Sequence, residues 1–530
     1  MTYIKEYDYI VGIVGIVGIV RNIALANNKE KTRSNQMLLK DIKSINQRIY
    51  VLDPEIKRES KVIFISALIF CYRLNKDFQN PAKLTALVNF VDEKTRPIDQ
   101  IIDIAKAEIV KLELLPKTQQ AIFDSLQTIS GVNTKLDRDR DAFKSFVSDF
   151  ITNDFPSIKS DDLFLETLYM EIDKKAKKSD EGVVLTPIFA AQLMIDLADI
   201  NYKNDVVADL CSGTGLFSLL SYSQMLGDMD RDLKAKEITK EEYKIYQEKL
   251  YNSIIANDVD PKMVTLCLAN FLLKSLNHSL LYNENVLKLE KSDFKIKNGD
   301  QQQTIQATKA VLNPPYEDAY KPVEIVEKCI SLVKNSNGMD SRVVVIIPPQ
   351  KFGQKKDIFS QILKGATLES VIKMQDDLFV ESGKTQPTSI FIFNASKPHS
   401  KEDKIKYYDF TDTGFVYLKD SGLVDKNNTY EAKKKRLLEA VKSDDAEKSS
   451  NSFIRTWGNF YEVDKQFLIT AQIDPSRIKI DKEEADITLE NITIKKMLGE
   501  KQKLLDDASN NYIDKDGSFE KYIIGILSED

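Results

Sequence analysis

The chain of 530 residues has very little cysteine, histidine or tryptophan: four Cys, two His and one Trp. Cys71, Cys211, Cys267 and Cys329 stand far apart, and His278 and His399 are equally isolated. Neither a disulfide framework nor metal-ligand spacing is present, so we expect no Cys- or His-ligated metal and a reducing, cytoplasmic setting. An excess of one charge is lacking too, with 75 Lys+Arg against 81 Asp+Glu and a net charge of -6. Proteins that grip nucleic acid through their own surface are usually more basic. If nucleic acid is the substrate, part of the grip is expected to come from a partner. No apolar run is long enough to span a membrane. The segment YIVGIVGIVGIV at 9–20 falls short of the ~20 residues a span needs, and Arg21 closes it. Its leader, MTYIKEYDY, carries acids and no basic surplus, so it does not read as a signal peptide. We expect this glycine-striped segment to be buried core or a subunit contact. The rest is that of an ordinary soluble globular chain: 42% hydrophobic, 29% charged, mean hydropathy -0.31. The length suits about three to four domains.

Three regions follow from patterning. Residues 1–177 are expected to form a helical domain, with apolar residues at three-four spacing over 38–51, 61–74, 99–115 and 118–129. The charged stretch 171–181 reads as a link. Over 178–398 short β-branched runs alternate with amphipathic stretches: VVADL (206–210), SIIAND (253–258), AVLN (310–313), RVVVIIP (342–348), LESVIKM (368–374) and TSIFIFN (388–394). That alternation predicts a doubly wound α/β sheet. The charged stretch 227–252 reads as a solvated helical hairpin inserted into it. The region 399–530 reads as a mainly helical tail for subunit docking, with KIKYYDFTDTGFVYL (404–418) as a short strand pair and a long charged helix over 484–508.

The chemistry-bearing motifs sit at strand ends. Asp209-Leu-Cys-Ser-Gly213-Thr214-Gly215 follows one strand and opens a helix, and its glycines permit a tight turn with close approach of a ligand. The dinucleotide fingerprint fails because position 218 is Ser, and no phosphate loop ending in Gly-Lys-Ser/Thr is present. The next strand ends in Asn257-Asp258-Val259-Asp260-Pro261, which places a carboxylate where it can accept from two ribose hydroxyls, though a strand-end Asp also commonly caps a helix. Asn313-Pro314-Pro315-Tyr316 is the most specific element. The Asn313 side-chain oxygen and the Pro314 carbonyl can both accept from one exocyclic amine, and Tyr316 offers a stacking face for a planar base.

The order Leu185-Thr186-Pro187, D-L-C-S-G-T-G, N-D-V-D-P and N-P-P-Y resembles the gamma-class N6-adenine DNA methyltransferases, within them the modification (M) subunit of type I restriction-modification systems. The resemblance covers residues 182–394, including RVVVIIPPQKFG (342–353) and DDLFVESGKTQPTSIFIF (376–393). Cys211-Ser212, Val183-Val184 and the charged insertion depart from the family pattern.

The resemblance implies a Rossmann-like S-adenosylmethionine-dependent methyltransferase sheet, between an all-helical N-terminal domain and the tail. It further implies the following roles. Thr186 and Pro187 lie near the methionine end of S-adenosylmethionine; Asp209, Gly213, Thr214 and Gly215 form the cofactor turn; Asp258 holds the ribose and Asn285 lies beside the cofactor adenine. Asn313, Pro314, Pro315 and Tyr316 hold the target adenine of double-stranded DNA, with Phe379 packing against it. Read without the family, Phe379 is core. The implied partners are a separate specificity (S) subunit, with two M per S, and a restriction/translocase (R) subunit. Alternatives are a stand-alone adenine methyltransferase of another phage-defence system, one acting on RNA or protein glutamine, and a catalytically silent scaffold in a DNA-binding complex.

Overall fold

A computed structural model of the chain describes residues 42–50, 58–75, 96–130, 140–155, 185–298, 301–334, 340–380, 387–400, 403–418, 422–442 and 452–456, with Asp77, Leu165 and Leu168. All of these fall within one compact unit, Met1–Ile469. The glycine repeat at 9–20, the link at 171–181 and the expected helix at 484–508 lie outside the described residues.

The N-terminal part is helical wherever it is described: a helix over 42–50, then Arg58–Leu74, Pro97–Ile109, Pro116–Ser130 and Arg140–Asp149. The three-four spacing explains them. In Pro97–Ile109 the buried face is Ile98, Ile101, Ile102, Ala105 and Ile109, with Pro97 opening the first turn, where its missing N–H costs nothing. Helices Arg58–Leu74 and Pro116–Ser130 pack on helix Pro261–Lys274 of the α/β part. That helix is apolar nearly all round, and burial on both sides follows. Thr118 seals the junction by donating its hydroxyl to the Leu281 carbonyl at 3.0 Å.

The strands are β1 (Val207–Asp209), β2 (Ile254–Asn257), β3 (Leu281–Tyr282), β4 (Lys295–Asn298), β5 (Gln301–Thr304), β6 (Lys309–Leu312), β7 (Arg342–Ile347), β8 (Thr367–Met374), β9 (Ser389–Asn394), β10 (Lys404–Phe410), β11 (Phe415–Leu418), β12 (Gly422–Asp425) and β13 (Ser452–Thr456). Nine of them form one sheet in the order β13-β10-β8-β9-β7-β6-β1-β2-β3. From β3 to β7 the pairing is parallel, while β9 runs antiparallel between β7 and β8. The six β-branched runs read from the sequence are β1, β2 and β6 to β9. They are strands because both faces are covered: β7 and β9 are buried along almost their whole length. The order reverses between β1 and β6, and a crevice outside the carboxyl ends of strands at such a switch point is where sheets of this class hold ligands.

One expectation is corrected. The segment 404–418 is not a strand pair, because β10 joins the main sheet beside β8 and β11 pairs with β12 instead. The physical cause lies in the side chains. Ile405, Tyr407 and Tyr408 of β10 are buried and require the sheet, whereas Val416, Tyr417 and Leu418 of β11 are exposed. Gly414, at φ +96°, turns the chain between them. The region past residue 398 thus contributes β10 and β13 to the main sheet and, as helix, Tyr430–Lys442. The 227–252 stretch is a helical hairpin: helix Leu216–Ala235 runs into it and Lys240–Tyr251 returns, started by a reciprocal Thr239–Glu242 capping box. Among the described residues no helix is long and apolar enough to cross a membrane.

Candidate active site

The carboxyl ends of β1, β2 and β6 bring most of the candidate residues together. At the end of β1, Asp209 is fully buried, and its Oδ2 accepts from the backbone N–H and the hydroxyl of Ser218, at 3.0 and 2.9 Å. These bonds pin the first turn of helix Leu216–Ala235. Its other oxygen, Oδ1, is buried with no hydrogen-bond partner. Burial, opposed by Ser218 and reinforced by the nearby Asp258, pushes the Asp209 carboxyl up to about 7.

The turn that follows needs its glycines. Gly213 and Gly215 have φ of +52° and +89°, in the left-handed region. A Cβ on Gly215 would lie 2.8 Å from Cys267 Sγ, whereas at Gly213 it would meet nothing within 4 Å. The turn is closed from one side and open on the other. Asp258, beyond β2, accepts from the Gly213 N–H at 2.8 Å through Oδ2 and from the Asp260 N–H at 2.9 Å through Oδ1. Burial raises its carboxyl to about 6, against the backbone N–H groups that stabilise the anion.

At the end of β6, Asn313 Nδ2 donates to Thr186 Oγ1 at 3.0 Å. Thr186 is buried, and Pro187 after it caps helix Ile188–Ala198. Pro314 is buried and Pro315 half-buried. Tyr316 is buried and meets Phe379 edge to face, with centroids 5.9 Å apart and planes at 82°. The Tyr316 hydroxyl has no hydrogen-bond partner, and its burial holds the phenol well above its ordinary range. Phe379 is thus both core, at 1% exposure, and the backing of the Tyr316 ring. Asn285 is exposed and caps the short turn Val286–Lys288 through a bond from the Leu287 N–H. It reaches the cluster only through neighbours, since Glu284 N–H donates to Asn257 Oδ1 at 3.0 Å.

Sequence reasoning missed two positioning side chains. Asn257 is buried; its Nδ2 donates to the Leu210 carbonyl at 3.1 Å, and its own carbonyl accepts from Ser212 N–H at 2.9 Å. One residue therefore fastens the glycine turn, the end of β2 and the loop after β3. Asn270 holds the Thr214 carbonyl at 2.8 Å from helix Pro261–Lys274. A lone Asn in the apolar run MVTLCLANFLL was the available signal, since a buried amide must find a partner. A cleft of about 420 Å³ lies elsewhere, between helix Pro116–Ser130 and the β3 edge, and adjoins this cluster through Tyr282, Asn283 and Glu284.

Residues 164–337 match the N-6 DNA methylase family. The type II restriction enzyme and methyltransferase RM.BcgI of Heyndrickxia coagulans is 28% identical over 340 residues, which cover 62% of this chain. The chain spans about half the length (49%) of that curated relative. The modification subunit of a putative type I restriction enzyme from Vibrio vulnificus YJ016 shares the fold, with a TM-score of 0.52 at 16% identity over 79% of this chain and 92% of that one. A chain from a structure of type I restriction-modification complex assembly gives 0.55 at 16% identity, covering 88% and 98%. The type I methyltransferase subunit of Streptococcus thermophilus gives 0.50 at 13% identity, covering 83% and 99%. The N-6 DNA methylase match agrees with the resemblance drawn from the order of motifs, and the mostly parallel sheet shares the fold of those type I subunits.

Proposed function

From an N-6 DNA methylase match seated in a modification-subunit fold, we propose that the chain transfers a methyl group from S-adenosylmethionine to N6 of an adenine flipped out of double-stranded DNA. The observation that carries this reading is the junction at the switch point, where Asn313 and Tyr316 leave β6 beside the Asp209–Gly215 turn that leaves β1. The chain acts in the cytoplasm as the M subunit, two per S subunit, with an R subunit for cleavage. The mildly acidic net charge of -6 supports this division of labour.

The turn fits the cofactor. Asp209 Oδ1 is a buried oxygen in want of a donor, the space beside Gly213 is open, and Asp258 presents a carboxylate at the adjoining strand end. Pro187, Thr214, Gly215 and Asn285 complete the set we assign to it, with Thr186 beside its methionine end and the Thr186 hydroxyl given to Asn313. When bound there, S-adenosylmethionine supplies an electrophilic methyl group.

The protein's own part is to hold and polarise the base. The N6 lone pair of adenine is delocalised into the ring and nucleophilically weak. Accepting its two hydrogens at Asn313 Oδ1 and the Pro314 carbonyl favours a tetrahedral nitrogen and localises the pair. Tyr316, backed by Phe379, stacks on the base, and Pro315 stiffens the turn. Rate comes from positioning and electrostatics. Extruding the base costs a few kcal/mol, which contacts of the assembly with DNA offset.

The test is a genome-wide N6-methyladenine map of source cells carrying the native gene or Asn313→Ala. Loss of methylation at one motif supports the reaction, and a split motif with a non-specific spacer supports an S subunit. An unchanged map refutes it. A second reading, the methylating part of an enzyme that also cleaves, is favoured by the combined activity named for RM.BcgI. DNA cleavage by the assembly without an R subunit would select it.

A further inference from the structure

We infer that Thr186 is a positioning residue for the acceptor of the target amine: its hydroxyl holds the Asn313 amide so that Oδ1, and not the NH2 group, is offered to the substrate. The inference rests on the adenine N6 reading above and deepens it. An asparagine amide has one acceptor oxygen and a nitrogen that only donates. The adenine amine that must be polarised also presents donors, so an amide turned the wrong way meets it donor to donor. Asn313 Nδ2 donates to Thr186 Oγ1 at 3.0 Å across 127 residues of sequence, and that orientation leaves Oδ1 to accept from the substrate amine.

The hydroxyl is itself well fixed. Thr186 is 6% exposed, and Pro187 accepts at its carbonyl from the N–H groups of Ala190 and Ala191, both at 2.9 Å. Helix Ile188–Ala198 is anchored in the core by Ala190, Ala191, Leu193, Met194 and Ile195. On its other side the Phe189 ring stacks on Phe415 at 3.9 Å, and the Tyr430 hydroxyl donates to the Phe189 carbonyl at 2.6 Å. Asn313 is held from its own side by β6, paired with β7 as far as Leu312–Val345. Two rigid elements thus meet at one hydrogen bond.

The experiment uses the full chain with the subunits that co-purify with it, tritiated S-adenosylmethionine, and genomic DNA from cells lacking the gene. Thr186→Val keeps the shape and removes the hydroxyl that accepts from the Asn313 NH2. We expect kcat to fall about 10- to 100-fold, with the KM for DNA and the calorimetric Kd for S-adenosylhomocysteine unchanged. Thr186→Ser restores most of kcat. The inference is overturned if Thr186→Val keeps the wild-type kcat, or if its defect is a raised cofactor Kd with full turnover at saturation. It is equally overturned if Thr186→Ser is as impaired as Thr186→Val, because the methyl group would then be what matters. A wild-type assembly that transfers no methyl group to adenine refutes the parent reading, and the inference falls with it.

Discussion

At Asp209 the fold and the cofactor site proposed above pull in opposite directions, and Asp209→Asn measures the conflict. The carboxyl is fully buried and is raised from 3.8 to about 7. That shift of roughly three pH units corresponds to ~4 kcal/mol at about 1.4 kcal/mol per unit. The sign follows from proton counting. Between the unfolded and folded values the folded protein keeps a proton that the unfolded chain has released, so stability falls as pH rises from about 4 to about 7 and levels off above. Asp209→Asn preserves an acceptor for the Ser218 N–H and hydroxyl and abolishes the titration. Urea unfolding of both proteins should be run at pH 5, 6, 7 and 8 and constant ionic strength. The variant should gain on the wild type with each step, by about 2.5 kcal/mol between pH 5 and pH 8 with the rest of the ~4 kcal/mol falling below pH 5, while losing S-adenosylmethionine binding. A difference in stability that stays flat over this range would refute the reasoning, since it would mean that the buried carboxylate is ionised in the fold without penalty.

Other perturbations test neighbouring contacts. Asn313→Ala should cut methylation by about 10²–10³ or more and leave cofactor binding intact by calorimetry; loss of both together would place Asn313 in the cofactor site instead. Gly215→Ala meets Cys267 Sγ at 2.8 Å on a backbone at φ +89°, so it should cost roughly 2–4 kcal/mol in denaturant titration, with part of that recovered by adding Cys267→Ala. Asn257→Asp keeps the acceptor for Glu284 N–H but turns the donor facing the Leu210 carbonyl into an anion near Asp258. Cofactor affinity should drop, and drop further as pH rises; pH-independent affinity would contradict this. Phe379→Leu removes the ring that meets Tyr316, and a loss of about 1 kcal/mol beyond the area term is expected, with a raised KM for DNA in a steady-state assay.

What could be read from the sequence was set by local physics. Strands β1, β2 and β6 to β9 announce themselves because strands covered on both faces read as nearly continuous apolar runs, and Gly213 and Gly215 announce a turn that other residues strain to make. The strand β3 is two residues long, and β4 and β5 read KIKN and QQQT, so neither has a hydrophobic pattern to detect. The insertion of β9 between β7 and β8 is a matter of long-range pairing that no local window contains. The split of 404–418 between two sheets depends likewise on which partners its side chains find. At the site, Thr186 and Asn313 were each recognisable, yet their contact spans the chain, and Asn257 and Asn270 act through backbone atoms that a motif does not display.

The direct pairing of β6 with β1 has a consequence for synthesis. The Val206 N–H bonds Thr308 Oγ1 over 102 residues, and β2, β3 and the β4–β5 hairpin are threaded between those two partners in the chain. While the chain emerges from the ribosome, β1 can dock only with β2, and its other edge stays open until β6 arrives. Contacts at such separation close late and slowly. The Asn313–Tyr316 loop after β6 therefore takes its place well after the glycine turn, and a chain truncated before β6 has that turn but neither Asn313 nor Tyr316.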